Sequence, residues 1–228
     1  MSGRSLEKLK KAMAEIEAAG GLKGQLSTLE MNVTDENSIQ KALEKIETDF
    51  GQLDVLINNA AVGNNNPSPR IRFEASFQTN LLGPVLVSEA FRPLLLKSRI
   101  PYSIYVTSAA GSIASEEKPK TYPEPPNSEA YKAMKAALNM VAVCEYQKYK
   151  GMGLKVFAFC PGFVVSNLRG HSDEMRNPGG LAGDPKISGQ SILSILEGER
   201  DASVGKFIHK DGLYDWYAAC PLLCGVRL

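Results

Sequence analysis

The 228-residue chain has little of what usually announces a partner or a compartment. No apolar run approaches the roughly 18 residues a membrane-spanning helix needs, and residues 1–11 (MSGRSLEKLKK) lack the apolar core of a signal peptide. With 26 Lys and Arg against 25 Asp and Glu, the net charge of +1 provides no broad basic field for nucleic acid. The two histidines, His171 and His209, lie in separate segments without ligand-like spacing, which sets a metal hydrolase aside. Four cysteines, Cys144, Cys160, Cys220 and Cys224, show neither disulfide nor zinc spacing. Cys144 and Cys160 fall in apolar runs and read as buried thiols, in keeping with a reducing cytoplasm. There is no internal repeat or low-complexity tract. What remains, 43% apolar and 22% charged, is ordinary composition for one α/β-sized domain with a sizeable core and a small-molecule partner.

Apolar periodicity alternates along the chain. Residues 26–33 (LSTLEMNV), 53–58 (LDVLIN), 102–107 (YSIYVT), 154–160 (LKVFAFC) and 204–209 read as strands. LDVLIN is nearly all apolar, as a strand buried on both faces would be. Helices are predicted from Ser5 to Gly20, with Leu6, Leu9, Met13 and Ile16 on one face, and after Thr34 and Asp35, with Ile39, Leu43, Ile46 and Phe50 on one face. Further helices are predicted over 73–96, 128–150 and 185–196. This alternation implies a parallel sheet doubly wound by helices. Residues 63–69 (GNNNPSP) and 115–126 (SEEKPKTYPEPP) read as solvated loops that, in a functional reading, border a substrate mouth.

The segment 128–150 (SEAYKAMKAALNMVAVCEYQKYK) carries the chemistry. Tyr131 and Lys135 stand one helical turn apart on the face that also bears Leu138, Ala142 and Glu145. A free phenol, with a pKa of about 10, is a poor acid at neutral pH, whereas an adjacent ammonium favours the phenolate. Tyr146 and Lys150 repeat the spacing 15 residues on, about 22 Å along the axis, so the two pairs cannot serve one site. The second copy lies in QKYKGMG and reads as a solvated last turn. Ala136 and Ala137, beside the first copy, let another element approach closely. Ser108, just past the YSIYVT strand, sits where open α/β sheets place their ligands.

Ser108, Tyr131 and Lys135 in this order, after Asn58, Asn59, Ala60 and Ala61 and before Pro161 and Gly162, resemble the short-chain dehydrogenase/reductase superfamily. The likeness is to its classical, NADP(H)-using carbonyl reductase-like members and runs over about residues 4–216. It implies a Rossmann-like fold and a Ser-Tyr-Lys site. In that site Tyr131 is the acid/base, Lys135 lowers its pKa and holds the nicotinamide ribose, Ser108 polarises the carbonyl, and Asn80 holds a water of the proton relay. It places Asn58, Asn59 and Ala60 beside the cofactor's adenosine, with Ala61 replacing a glycine. Asn32 falls where an aspartate meets the adenine amino group. Pro161, Gly162 and Ser166 meet the nicotinamide, the serine replacing a threonine. Residues 205–216, with Trp216, resemble the closing strand and tail. Arg4 stands where an arginine selects the 2′-phosphate, which favours NADP(H) over NAD(H). The resemblance also implies a homodimer or homotetramer formed through the helices at 73–96 and 128–150.

The family opens with a strand, a Thr-Gly-x-x-x-Gly-x-Gly turn for the pyrophosphate, a helix and a second strand, whereas residues 2–5 match only the end of that second strand. The expected fold is therefore an N-terminally truncated Rossmann-like sheet. Residues 26–33 would pair directly with 53–58 or stand apart from them. Weak NADP(H) binding and slow or no turnover are expected of this chain. A non-catalytic binding module, or an incomplete gene model, is the alternative.

Overall fold

The computed structural model describes residues 1–118 and 125–216. In chain order the elements begin with β1 (Ser2–Gly3), α1 (Leu6–Ala19), β2 (Leu29–Glu30), α2 (Glu36–Phe50) and β3 (Val55–Asn58). There follow α3 (Pro69–Ser76), a π-helical turn (Phe77–Leu82), α4 (Gly83–Leu95), β4 (Tyr102–Val106), α5 (Ile113–Glu116) and α6 (Glu129–Tyr149). The chain then forms β5 (Lys155–Phe159), α7 (Asp173–Arg176), α8 (Pro185–Leu196), β6 (Phe207–His209) and β7 (Gly212–Leu213). Caps set several boundaries. Ser5 accepts from the Lys8 amide and Asp35 from those of Asn37 and Ser38, while Gly20 and Gly51, both at φ 72°, close α1 and α2.

Strands β3, β4, β5 and β6 run parallel in that order, and β7 returns antiparallel to β6. Separately, β1 and β2 form a two-residue parallel ladder, Ser2 opposite Leu29 and Gly3 opposite Glu30. Among the described residues no ladder joins the two sheets, so the 26–33 segment stands apart from 53–58, and only two of its eight residues are paired. The alternation read from the sequence gives a Rossmann-like α/β sheet with helices on both faces. On one face Leu138 and Ala142 of α6 and Leu95 of α4 pack with Tyr105, Val156 and Ala158. On the other, Ile195 of α8 packs with Ile104, Phe157 and Phe159. Each fully buried side chain of this size contributes about 1.5–3 kcal/mol.

Among the described residues the two sheets meet through side chains. Met31, Ile39 and Ala42 from the small sheet and α2 pack with Val87, Phe91 and Leu94 of α4, and Leu53 and Leu56 lean on the same cluster. Gly83 is part of this seam, because a Cβ there would lie 2.9 Å from a Val33 methyl. The LDVLIN strand is not buried on both faces. Val55 and Leu56 are half-buried and Ile57 is 38% exposed, since β3 has a strand partner on one edge only.

Four further expectations change. The helix read over 73–96 begins earlier, at Pro69, and its α-helical pattern is interrupted by the π-turn between α3 and α4. Phe50 is 62% exposed and Ala42 takes its place inside α2. Cys144 is exposed on α6, whereas Cys160 is buried; Cys220 and Cys224 lie outside the described residues. Tyr146 is not a solvated last turn: its ring packs against Gly205, where φ is +77° and any side chain would overlap it. Trp216 stacks on Phe207, their ring centroids 5.1 Å apart.

A buried ion pair sets the orientation of α6. Glu145 accepts from Arg92 of α4 at 2.8 Å and from Ser103 of β4 at 2.7 Å. Removing one partner of a pair buried like this costs about 3–5 kcal/mol, so the helix that presents Tyr131 is fixed against both its neighbours.

Candidate active site

Ser108 lies two residues beyond β4, and its Oγ accepts from the Ala110 amide at 3.2 Å. Ser108 lies near enough to the Tyr131 hydroxyl to pull its pKa down. This proximity requires the loop after β4 to lie against α6, and Gly111 permits it: a Cβ there would stand 2.6 Å from the Lys135 carbonyl carbon and 2.7 Å from the Ala136 nitrogen. The small residues 136 and 137 read from the sequence thus have their counterpart in a glycine on the facing loop. Thr107 Oγ1 donates to the Lys135 carbonyl at 3.3 Å, and Asn139 Nδ2 donates to the Gly111 carbonyl at 3.2 Å.

Lys135, 2% exposed, donates from Nζ to the Val106 carbonyl at 2.7 Å and lies 5.7 Å from the centre of the Tyr131 ring. Burial lowers its pKa to about 8. Burial also pushes Tyr131 up to about 12, against the opposing pull of Ser108 and the positive charge of Arg169. The groups that shift Tyr131 are its burial, Ser108, Cys160 and Arg169. Desolvation drives Lys135 and Tyr131 toward their neutral forms, and the cation whose field favours the phenolate is Arg169.

Asn80 sits in the π-turn, fully buried. Its Nδ2 donates to the Val62 carbonyl and its Oδ1 accepts from the Val62 amide, both at 2.8 Å. That reciprocal pair pins the strand that leaves Asn59, Ala60 and Ala61. Neither amide atom bonds to Lys135. Arg72, on α3, clamps the next segment, donating to the carbonyls of Asn66 at 3.2 Å and Pro67 at 2.9 Å and pairing with Glu129 at the start of α6. Of the two loops placed at the mouth, 63–69 is thus tied to the tyrosine helix, while 119–124 of the second lie outside the described residues. Cys160 is a third tie: its sulfur accepts from the amides of Ala109 at 3.2 Å and Gly162 at 3.4 Å, joining the Ser108 loop to the turn after β5.

The fold is shared with known proteins. The family model described as short chain dehydrogenase matches residues 1–177. The chain belongs to the short-chain dehydrogenase family. It is 31% identical over 211 residues to the short-chain dehydrogenase/reductase tropE of Talaromyces stipitatus, covering 82% of this chain and 76% of that protein. It is 27% identical over 207 residues to the 3-oxoacyl-[acyl-carrier-protein] reductase FabG of Thermotoga maritima, covering 86% and 80%. The crystal structure of an NADPH-bound carbonyl reductase from chicken fatty liver superposes with a TM-score of 0.74 at 25% identity, covering 94% and 84%.

In this short-chain dehydrogenase the other candidate residues fall into two groups. Asn59 and Ala60 are exposed beyond β3, Gly162 is exposed at φ +83° with open space about it, and Pro161 and Ser166 are half-buried beside it. Arg4 is exposed between β1 and α1. By contrast, Asn58 is buried and its Nδ2 donates to Ser88 Oγ at 2.9 Å, and the Asn32 amide oxygen already accepts from the Thr34 amide at 3.3 Å and hydroxyl at 3.0 Å. Sequence reasoning passed over Arg72, Cys160 and Arg169. A cysteine immediately before Pro161 and Gly162 was the one available signal; the two arginines gave none. Among the described residues no group of three His, Cys, Asp or Glu could hold a metal ion, and no helix is long and apolar enough to cross a membrane.

Proposed function

We propose that this protein reduces a ketone or aldehyde with NADP(H), or runs the reverse alcohol oxidation, at Ser108, Tyr131 and Lys135. The observation that carries the reading is the Ser108 loop packed against α6 through Gly111, which sets the serine near Tyr131, with a buried Lys135 one turn further on. A nicotinamide cofactor supplies the hydride when bound. Tyr131, protonated throughout the neutral range, gives its proton to the carbonyl oxygen as negative charge develops there. Ser108 Oγ accepts from the Ala110 amide, which orients the hydroxyl, and its proton can be given to the same oxygen. Lys135 has three N–H donors and gives one to Val106. The other two suit the vicinal hydroxyls of the nicotinamide ribose, and a pKa near 8 lets the group pass a proton back toward Tyr131. Asn80 supports this relay from its place in the π-turn.

The residues fit the cofactor well at its reacting end, where Pro161, Gly162 and Ser166 would hold the nicotinamide. At the adenosine end Asn59 and Ala60 are open, Asn32 offers only its amide nitrogen and Asn58 is committed to Ser88. Arg4 would take the 2′-phosphate, and the NADPH named for the chicken carbonyl reductase supports NADP(H) over NAD(H). Affinity should accordingly be weak. The same internal commitments favour the second reading, a non-catalytic binding role. Both readings describe one cytoplasmic domain with a small-molecule ligand, associating as a homodimer or homotetramer through the segments 73–96 and 128–150, where Phe77 of the π-turn and Met140 of α6 are exposed.

Purified protein would be titrated with NADPH by calorimetry and assayed for carbonyl-dependent NADPH oxidation. Tyr131→Phe should abolish oxidation, whereas Tyr146→Phe, which keeps the ring against Gly205, should retain it. Equal losses would overturn the site assignment, and binding without any oxidation would favour the second reading.

A further inference from the structure

Arg169 lies three residues past Ser166, in the irregular chain between β5 and α7. Three backbone carbonyls fix its guanidinium: Nε donates to Met175 at 3.1 Å, and Nη2 donates to Val164 at 2.9 Å and Arg176 at 2.8 Å. The group lies 4.5 Å over the centre of the Phe163 ring. Those bonds use the Nε hydrogen and both Nη2 hydrogens, leaving the two on Nη1 without a partner among the described residues. No carboxylate of the described residues lies within ion-pair distance, Asp173 being turned to Arg176 at 3.7 Å. Arg169 is half-buried, and burial lowers its pKa. Its field nevertheless reaches the Tyr131 hydroxyl.

The segment that carries Arg169 also meets the loop that follows Asn59 and Ala60. Gly63, in the loop after Asn59 and Ala60, lies against the Leu168 carbonyl so closely that any side chain there would overlap it. The neighbouring segment is stitched down where the Val165 amide donates to Gly183 at 3.0 Å and the Gly183 amide donates to Phe163 at 2.8 Å. Arg169 therefore follows directly on the contact between the two segments, and its charge is felt at Tyr131. A partly desolvated cation, rigidly held and lacking a counter-ion, is electrostatically incomplete. Rigid guanidinium donors suit an anionic oxygen, and bonds of this kind are stronger than neutral ones.

We propose that Arg169 binds a carboxylate carried by the substrate, so that the preferred substrate is an oxo acid and not a neutral ketone or aldehyde. The oxo half of this assignment rests on the reading of the Ser108 and Tyr131 site given above; the carboxylate half does not. Arg169 binds and orients the acid, and Tyr131 remains the proton donor.

The test uses 2-oxobutanoate and 3-oxobutanoate, each against its methyl ester, by calorimetric binding with and without NADPH and by NADPH oxidation. For at least one pair, the wild-type protein should bind the acid about tenfold or more tightly than the ester. Arg169→Gln should bring acid and ester to near equality, Arg169→Lys should keep part of the preference, and NADPH affinity should be unchanged in both. Equal binding of acid and ester by the wild-type protein would overturn the proposal. So would an Arg169→Gln protein that loses NADPH as strongly as it loses the acid, because the arginine would then serve a cofactor phosphate. Should the glutamine variant fail to fold, the wild-type comparison and the lysine variant still decide. Acid preference without turnover would sustain Arg169 while refuting the reductase reading.

Discussion

Lys135 holds its ammonium almost wholly out of water with a single acceptor, and this has a measurable thermodynamic consequence. Its folded pKa of about 8 lies below the ordinary value of 10.5. Between those limits the unfolded chain keeps a proton the folded chain has shed, so this group makes stability rise with pH across that window. The contribution is up to about 3 kcal/mol. Tyr131 acts oppositely: its folded pKa of about 12 lies above 10.0, and stability is lost as pH climbs between them. The expected result is that wild-type stability gains on that of Lys135→Met from about pH 8 to 10, with the variant at least as stable at pH 7. Urea unfolding at half-unit pH steps measures the difference; a pH-independent difference would remove the argument. Tyr131 and Lys135 were legible in the sequence because a helical turn is a local rule. Arg169 was not, since its position depends on three carbonyls in chain with no period.

At the scale of elements, the helix read over 73–96 is interrupted, and the interruption is useful. The π-turn carries Asn80 to Val62, and α3 before it carries Arg72 to the 66–67 carbonyls and to Glu129. The clamp couples a loop at the mouth to the first turn of α6. Each bond from the charged guanidinium to a carbonyl contributes about 1.5–3 kcal/mol, so Arg72→Ala should cost about 2 kcal/mol or more. It should also deprotect amides 63–68 in hydrogen exchange. Glu129→Gln leaves the two carbonyl bonds intact and should do distinctly less on both counts. Equal effects would mean that the ion pair, and not the loop clamp, is what matters. Composition and turn residues marked 63–69 as a loop, but no sequence rule pairs residue 72 with residue 129. The strand over 26–33 was over-read for a related reason: apolar patterning finds an extended segment, whereas the ladder's length is set by a partner, and β1 offers two residues.

For the whole molecule, the legible part was the order of strands and helices, since each strand from β3 to β6 announces itself by its own apolar run. The division into two sheets was legible only as one of two alternatives, because hydrogen-bond partners are not written in any single segment. The apolar β3 is half-exposed along one side, and β1, β2 and α1 are bound to the rest through the seam of Met31, Ile39 and Leu29 with Val87, Phe91 and Leu94. Amides of β1, β2 and α1 should exchange well before those of β4 and β5, which lie between paired neighbours. Uniform protection across both sheets would contradict this.

A chain whose smaller sheet meets the larger through side chains is not obliged to melt as one cooperative unit. The seam can part while Ile104, Phe157 and Ile208 stay packed, so heat should open the molecule in two stages. Scanning calorimetry should then record a transition enthalpy larger than the van't Hoff value drawn from the same curve. The first stage would bare the outer backbone groups of β3, the place where two partly opened copies could zip together edge to edge.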